Sequence, residues 1–211
     1  MATTTRTTKA LSTIGDPSND GASAIEVGEP YRVLVEITGS AALLLHGWSV
    51  DAIAEKAAAA KNSTSKKTDN LESYIHRDDA GMICLPGEYL RQSLIGAARY
   101  QQDPRSPRKS AMDLYKAGVV CLTELASLGC ADWDYVDRRR VTVMRAGITR
   151  QRPAFNAGWK TEVVLLVLTP EYLNPQLVQR TITDAGRLIG VGDFRPTFGR
   201  FQITRYQVLE V

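Results

Sequence analysis

The sequence predicts one α+β domain whose core runs in the order βαββαβ. Apolar and polar residues alternate over 31–38 and again over 200–208, which is typical of half-buried strands. Apolar residues recur every three or four positions over 87–100 and 175–189, which indicates helices that pack one face on a sheet. Two further apolar runs, 118–125 and 161–169, complete the order. This order is that of the ferredoxin-like fold, which RNA-recognition modules (RRMs) share.

The first strand is the clearest element of the sequence. Its odd-numbered residues from Tyr31 to Ile37 are apolar, whereas Arg32 and Glu36 fall on the other face. An apolar stretch continues from it and ends at His46 and Trp48. These two side chains are either tethered at the edge of the sheet or in contact with a ligand.

The second helix begins at a capping signal and leads into a glycine-rich loop. Asn174 is a helix-capping residue type, and Pro175 suits the first helical turn. Residues 190–200 then combine three glycines with two arginines and two phenylalanines. Glycines allow close backbone approach, arginines donate to phosphates and aromatic rings stack on bases, so this loop is either a structural turn or a ligand-facing loop. The candidate contacts are Phe194, Arg195, Phe198 and Arg200.

A strongly basic segment precedes the third strand. Between Arg138 and Lys160 there are six arginines, one lysine and no acidic residue. A solvated basic hairpin over 132–160 is one interpretation. Positive charge interleaved with aromatic residues fits a phosphate backbone better, and this favours nucleic-acid binding. The candidate phosphate contacts are Arg138, Arg139, Arg140, Arg145, Arg150 and Arg152.

Length and composition set the domain limits. The chain has 211 residues and a net charge of +3, which suits a single domain over 26–211 behind a polar, flexible N-terminal arm over 1–25. Residues 50–80 are an insertion with a basic tip at Lys66 and Lys67, either a solvated loop or a mobile finger. Three cysteines without paired spacing indicate a cytosolic protein, and we expect no metal and no cofactor. No apolar run approaches the roughly 18 residues of a membrane span, so we expect no membrane partner.

Four stretches together resemble the RAMP superfamily, the ferredoxin-like backbone subunits of CRISPR effector complexes, in the small form encoded by phages and mobile elements. They are VEITGSAALLLHGW, LPGEYLRQSLIGAAR, DRRRVTVMRAGITRQRPAF and AGRLIGVGDFRPTFGRFQI. The resemblance implies single-stranded RNA or DNA held along a helical filament of identical subunits, with other effector subunits as further partners. It also implies that 50–80 is the finger or thumb, and that the protein works in the cytoplasm of a bacterial cell.

Three functions follow as hypotheses. The first is a non-catalytic binder of single-stranded nucleic acid, in which Trp48, Phe194 and Phe198 stack on bases. The second is a RAMP-type endoribonuclease that uses His46 or His76 as acid–base groups. The third is a phage assembly or interaction protein that uses the same fold without nucleic acid.

Overall fold

The computed structural model of the chain describes residues 28–47, 58, 70–143 and 146–209. The predicted arm over 1–25, Trp48, most of the insertion over 50–80 with Lys66 and Lys67, and Arg145 lie outside the described residues. The strands are β1 (Tyr31–Gly39), β2 (Leu43–Leu44), β3 (His76–Arg77), β4 (Ile83–Pro86), β5 (Gln102–Asp103), β6 (Ser106–Ser110), β7 (Val119–Cys121), β8 (Leu125–Ser127), β9 (Tyr135–Val143), β10 (Ala146–Phe155), β11 (Lys160–Val167) and β12 (Phe201–Leu209). The helices are α1 (Glu88–Ala98), α2 (Met112–Gly118) and α3 (Pro175–Leu188), with a short 3-10 turn at Glu72–Tyr74.

The core is a four-stranded antiparallel sheet in the order β12-β1-β11-β7. The odd-numbered residues of β1 and β11 are buried, because their side chains share one face of the sheet with the apolar stripes of α1 and α3. Val35 lies opposite Val163 on one side and Tyr206 on the other. The predicted α+β class is confirmed, and five of the six predicted core elements lie within two residues of their observed bounds.

The predicted strand over 118–125 is shorter in the structure. Pairing with β11 covers β7 alone, and Leu125 already belongs to β8, which pairs with β4. The chain leaves the sheet at Thr123, whose hydroxyl oxygen accepts a hydrogen bond from the Val164 amide at 2.9 Å. The next backbone carbonyl, Glu124, accepts from Gly87 at the start of α1. Apolar character alone did not show this turn, nor did it predict α2 or the β5–β6 hairpin.

The basic segment forms the predicted hairpin, and it is attached to the end of β1. β9 and β10 pair antiparallel, with Arg139 opposite Arg150 and Asp137 opposite Arg152. β10 also pairs with β2, where Ala154 lies opposite Leu44. The apolar continuation of the first strand therefore serves as the third strand of the hairpin sheet.

Helix α3, the second helix predicted from the sequence, forms as its capping signal predicts. The Asn174 side-chain oxygen accepts a hydrogen bond from the Leu177 amide at 2.9 Å, and Pro175 occupies the first helical position. The buried stripe of α3 includes Val178, Ile182 and Ala185. None of the helices in the described ranges is both long enough and apolar enough to cross a bilayer.

The close contact between α3 and β12 gives a stability prediction. A Cβ at Gly186 would lie 2.2 Å from the Phe201 carbonyl oxygen, whereas a Cβ at Gly96 in α1 would meet only the Ile189 side chain at 3.4 Å. We expect Gly186→Ala to lower the free energy of unfolding by about 1–3 kcal/mol through overpacking. Gly96→Ala, the matched control, should leave it unchanged or raise it by up to about 1 kcal/mol, because alanine favours helix. Urea unfolding measures both, and equal stability of the two variants would contradict the packing.

Candidate nucleic-acid interface

The glycine-rich loop between α3 and β12 is fastened to the hairpin sheet by its backbone. The Asp193 amide donates to the Leu44 carbonyl at 2.8 Å, and the Gly199 amide donates to the Ala42 carbonyl at 2.8 Å. The Val191 amide closes the loop on the Gly199 carbonyl at 2.9 Å. This path requires positive φ angles of 72° to 78° at Gly190, Gly192 and Gly199. The loop and the basic hairpin therefore form one continuous surface.

An ion pair between a buried arginine and a partly exposed aspartate joins the two parts. Arg152 of β10 is buried, and its Nε donates to the Asp193 carboxylate in the loop. The other Asp193 oxygen accepts from the Phe194 amide at 2.8 Å. Burial raises the pKa of Asp193, but the hydrogen bonds from Arg152 and Phe194 outweigh it and hold the pKa below its usual value. Asp193 is thus a charged tether between loop and hairpin.

The two loop phenylalanines are held by arginines of the hairpin. The Arg139 guanidinium lies 4.3 Å from the Phe198 ring centroid and 5.4 Å from that of Phe194. The two rings meet edge to face with centroids 6.1 Å apart. Phe198 is buried against Leu44 and Ala154, whereas Phe194 is 40% exposed. Of the two predicted stacking residues in the loop, Phe194 is the one whose ring reaches solvent.

The hairpin arginines divide between two faces. Side chains alternate along a strand, so Arg139, Arg150 and Arg152 share the face of Asp137 and the loop. There Arg139 is paired with Asp137 at 2.9 Å, and Arg152 is paired with the loop. The sequence count of unopposed positive charge is therefore too high, because two carboxylates outside the basic run neutralise two of its arginines.

Unpaired cations lie on the other face and on the loop. Arg138 and Arg140 are exposed on the opposite side of β9, and no carboxylate in the described ranges lies within ion-pair distance of either. Arg195 and Arg200 are exposed on the loop, where the Arg200 Nε donates to the Pro196 carbonyl at 2.9 Å. Among the described residues of the hairpin and the loop, these four arginines are exposed and available to anions from solvent.

His46 is tethered at the inner face of the hairpin. One Arg150 nitrogen lies 2.9 Å from His46 Nε2, and because arginine only donates, Nε2 must be the unprotonated acceptor. The ring stacks on Tyr74 with centroids 4.2 Å apart. Burial lowers the pKa of His46, and the charges of Arg150 and Arg152 lower it further against the opposing effect of Asp193. The structure therefore agrees with the tethered interpretation of this histidine.

Sequence reasoning missed the acidic partners of the site. Asp137 stands immediately before the basic run, and Asp193 stands inside the glycine-rich loop. Their signal is a lone carboxylate next to several arginines, which indicates an internal ion pair rather than free positive charge.

Comparisons with known proteins give similar solved structures and no family. No family model matches the chain, and no curated protein matches it in sequence. Among solved structures, the chain is similar to a chain in the cryo-EM structure of the Type III-B Cmr-beta bound to cognate target RNA, with 11% identity and a TM-score of 0.51. The match covers 86% of this chain and 61% of that one, so this protein spans less than two thirds of its neighbour's length. The similarity supports a shared fold.

The Arg152–Asp193 pair gives a second stability prediction. Arg152→Met removes the buried partner and leaves the carboxylate unpaired, so we expect the free energy of unfolding to fall by about 1–3 kcal/mol. Arg138→Met is the control on the outer face, because that arginine is exposed and has no carboxylate partner in the described ranges, so its loss should change the free energy of unfolding by about 0.5 kcal/mol or less. Adding Asp193→Asn should recover part of the Arg152→Met loss. Additive effects in this double-mutant cycle would show that the pair does not join the loop to the hairpin.

The lowered pKa of His46 predicts acid sensitivity. Since the native pKa lies below the unfolded value of about 6.5, the unfolded chain binds protons more readily as the pH falls below 6.5. Stability should therefore be retained above this range and be lost progressively towards the native pKa. His46→Gln should flatten this dependence in chemical unfolding between pH 7.5 and 5, whereas His76→Gln should preserve it. An unchanged slope in His46→Gln would contradict the assignment.

Proposed function

We propose that the protein is a non-catalytic binder of single-stranded nucleic acid, with RNA as the preferred ligand. The observation that carries the proposal is the pair Arg138 and Arg140, which are exposed on the outer face of β9 and have no carboxylate partner in the described ranges. Phe194 is exposed on the loop that packs against the inner face of the same hairpin. Guanidinium groups bind phosphates and an aromatic face stacks on any base, so the surface suits a strand without sequence selection.

The core supports a RAMP-type assignment within this proposal. The sheet order β12-β1-β11-β7, with α1 between β1 and β7 and α3 between β11 and β12, is the order expected of a ferredoxin-like split β-α-β fold. The neighbour with a similar fold comes from an assembly bound to RNA, which favours RNA over DNA as the first ligand to test. By the same analogy, we propose that copies of the chain line up side by side along the strand.

The arrangement separates two contributions to binding. Arg138, Arg140, Arg195 and Arg200 are exposed and would contact phosphates, whose neutralisation makes affinity fall with salt. Phe194 would stack on a base, a contribution on the order of 1–3 kcal/mol per base. Arg139, Arg150, Arg152 and Phe198 hold this surface in place from behind, so their replacement would act on stability as well as on binding.

Strand binding by the outer face of β9 is tested with fluorescence anisotropy. Wild-type protein should bind labelled single-stranded RNA more tightly than duplex RNA, with single-stranded DNA measured beside them. Replacing both Arg138 and Arg140 by alanine should weaken RNA binding at least tenfold, since each charged contact is worth about 1 kcal/mol or more. The matched control replaces Arg108 and Lys109 of the exposed β6 by alanine, which removes the same charge from another hairpin.

Two outcomes of this experiment would contradict the proposal. Equal losses in the two double variants would mean that net charge, and not the β9 surface, drives binding. If wild-type protein binds no strand at low salt, the proposal is wrong and the remaining hypothesis is an assembly or interaction protein with the same fold. Electrophoresis of the recovered RNA tests catalysis in the same samples. If wild-type protein shortens the RNA and His46→Gln does not, the endoribonuclease hypothesis is favoured.

A further inference from the structure

We propose that the cleft between α1 and the glycine-rich loop holds one nucleotide of the bound strand, with its base on Phe194 and its phosphate between Arg99 and Arg195. This inference rests on the proposed function and extends it to a part of the molecule that lies beside the hairpin. It also assigns a role in base preference to Gln92 of α1.

The cleft has the size of a ligand site. Its volume is about 560 Å³, within the roughly 300–1,000 Å³ of small-molecule sites. Helix α1, the end of α3 and the loop each contribute one wall. The lining residues that the argument uses are Gln92, Arg99, Asp193, Phe194 and Arg195.

The charge of the cleft suits a phosphate. Arg99 and Arg195 both line it, and neither makes an ion pair with a carboxylate in the described part of the chain. Asp193 is the one carboxylate among the lining residues, and its charge is already matched by Arg152. Two guanidinium groups in one cleft can donate several hydrogen bonds to the oxygens of one phosphate.

The ring of Phe194 is placed to receive a base. Arg139 and Arg152 approach it from the hairpin side at 5.4 and 5.7 Å, and Phe198 meets it edge to face. Its remaining surface is exposed and lines the cleft. The residue has a φ of 57°, a conformation that is rare for a bulky side chain and that occurs at functional sites. The surrounding contacts thus hold a large ring at the mouth of a cationic cleft.

Gln92 can distinguish bases. Its side-chain nitrogen donates to the Glu88 carboxylate at 2.6 Å, and because a carboxylate only accepts, this contact fixes which end of the amide is which. The groups left for a ligand are therefore the carbonyl oxygen and the second N–H of the amide. An amide that offers one acceptor and one donor side by side can bind the N6 amino group and N7 of adenine together.

The test compares short single strands of oligo-A and oligo-U, with one 2-aminopurine in the oligo-A as a stacking reporter. We expect tighter binding of oligo-A than of oligo-U and quenching of the reporter by wild-type protein. Gln92→Leu should abolish the preference without changing oligo-U affinity. Phe194→Leu should remove the quenching, and Arg99→Met should weaken both strands roughly tenfold, as expected for one charged contact. Arg180→Met, an exposed arginine of α3, is the control for charge.

The outcomes separate this inference from the proposed function. If wild-type protein binds strands but Gln92→Leu, Phe194→Leu and Arg99→Met all behave like wild type, the cleft holds no nucleotide and the hairpin proposal stands. AMP titrated without any strand gives the second arm. If AMP binds to wild-type protein, Arg99→Met abolishes this binding and no strand binds, the cleft holds a free nucleotide. That result would overturn the inference that the nucleotide belongs to a bound strand. Binding of neither AMP nor strand would overturn both proposals. Unchanged melting temperatures verify that the variants are folded.

Discussion

The hydrogen-bonded ion pair between Arg152 and Asp193 is the interaction on which the candidate surface depends. It joins the basic hairpin to the glycine-rich loop across 41 positions of the chain. Around it, Arg139 packs over both loop phenylalanines and Arg150 holds His46. The pair adds a side-chain link to the backbone hydrogen bonds by which Asp193 and Gly199 attach the loop to the hairpin sheet.

The pair also explains why the arginines differ in their roles. A buried guanidinium needs a carboxylate, because an unpaired charge in a poorly solvated site is costly. The inner face of the hairpin therefore has Asp137 beside Arg139 and packs against Asp193 of the loop, so the charges of Arg139 and Arg152 are used internally. Arg138 and Arg140 on the outer face remain available to solvent anions. Strand alternation thus divides one basic run into a structural half and a candidate binding half.

Most of the core could be predicted from periodicity, and the site only in part. Alternation located β1 and β12, and the spacing of apolar residues with the Asn174 cap located α3, because these signals are local. The early end of β7 depends on the Thr123 hydroxyl, which no hydrophobic pattern shows. The hairpin and the loop were each identified as basic or glycine-rich, but their contact depends on Asp193 and Leu44, which are distant in sequence. The cleft beside α1 is likewise a product of tertiary packing, since Arg99 and Arg195 are almost a hundred residues apart.

The salt dependence of RNA binding tests the central claim most directly. The claim is that the outer face of β9 contacts phosphates, and each such contact to a single strand contributes about 0.7 to the slope of log affinity against log salt concentration. Replacing both Arg138 and Arg140 by alanine should therefore reduce the magnitude of that slope by roughly 1.4. An unchanged slope, with weaker binding at every salt concentration, would contradict the account, because it would mean that these arginines support the fold rather than contact the strand.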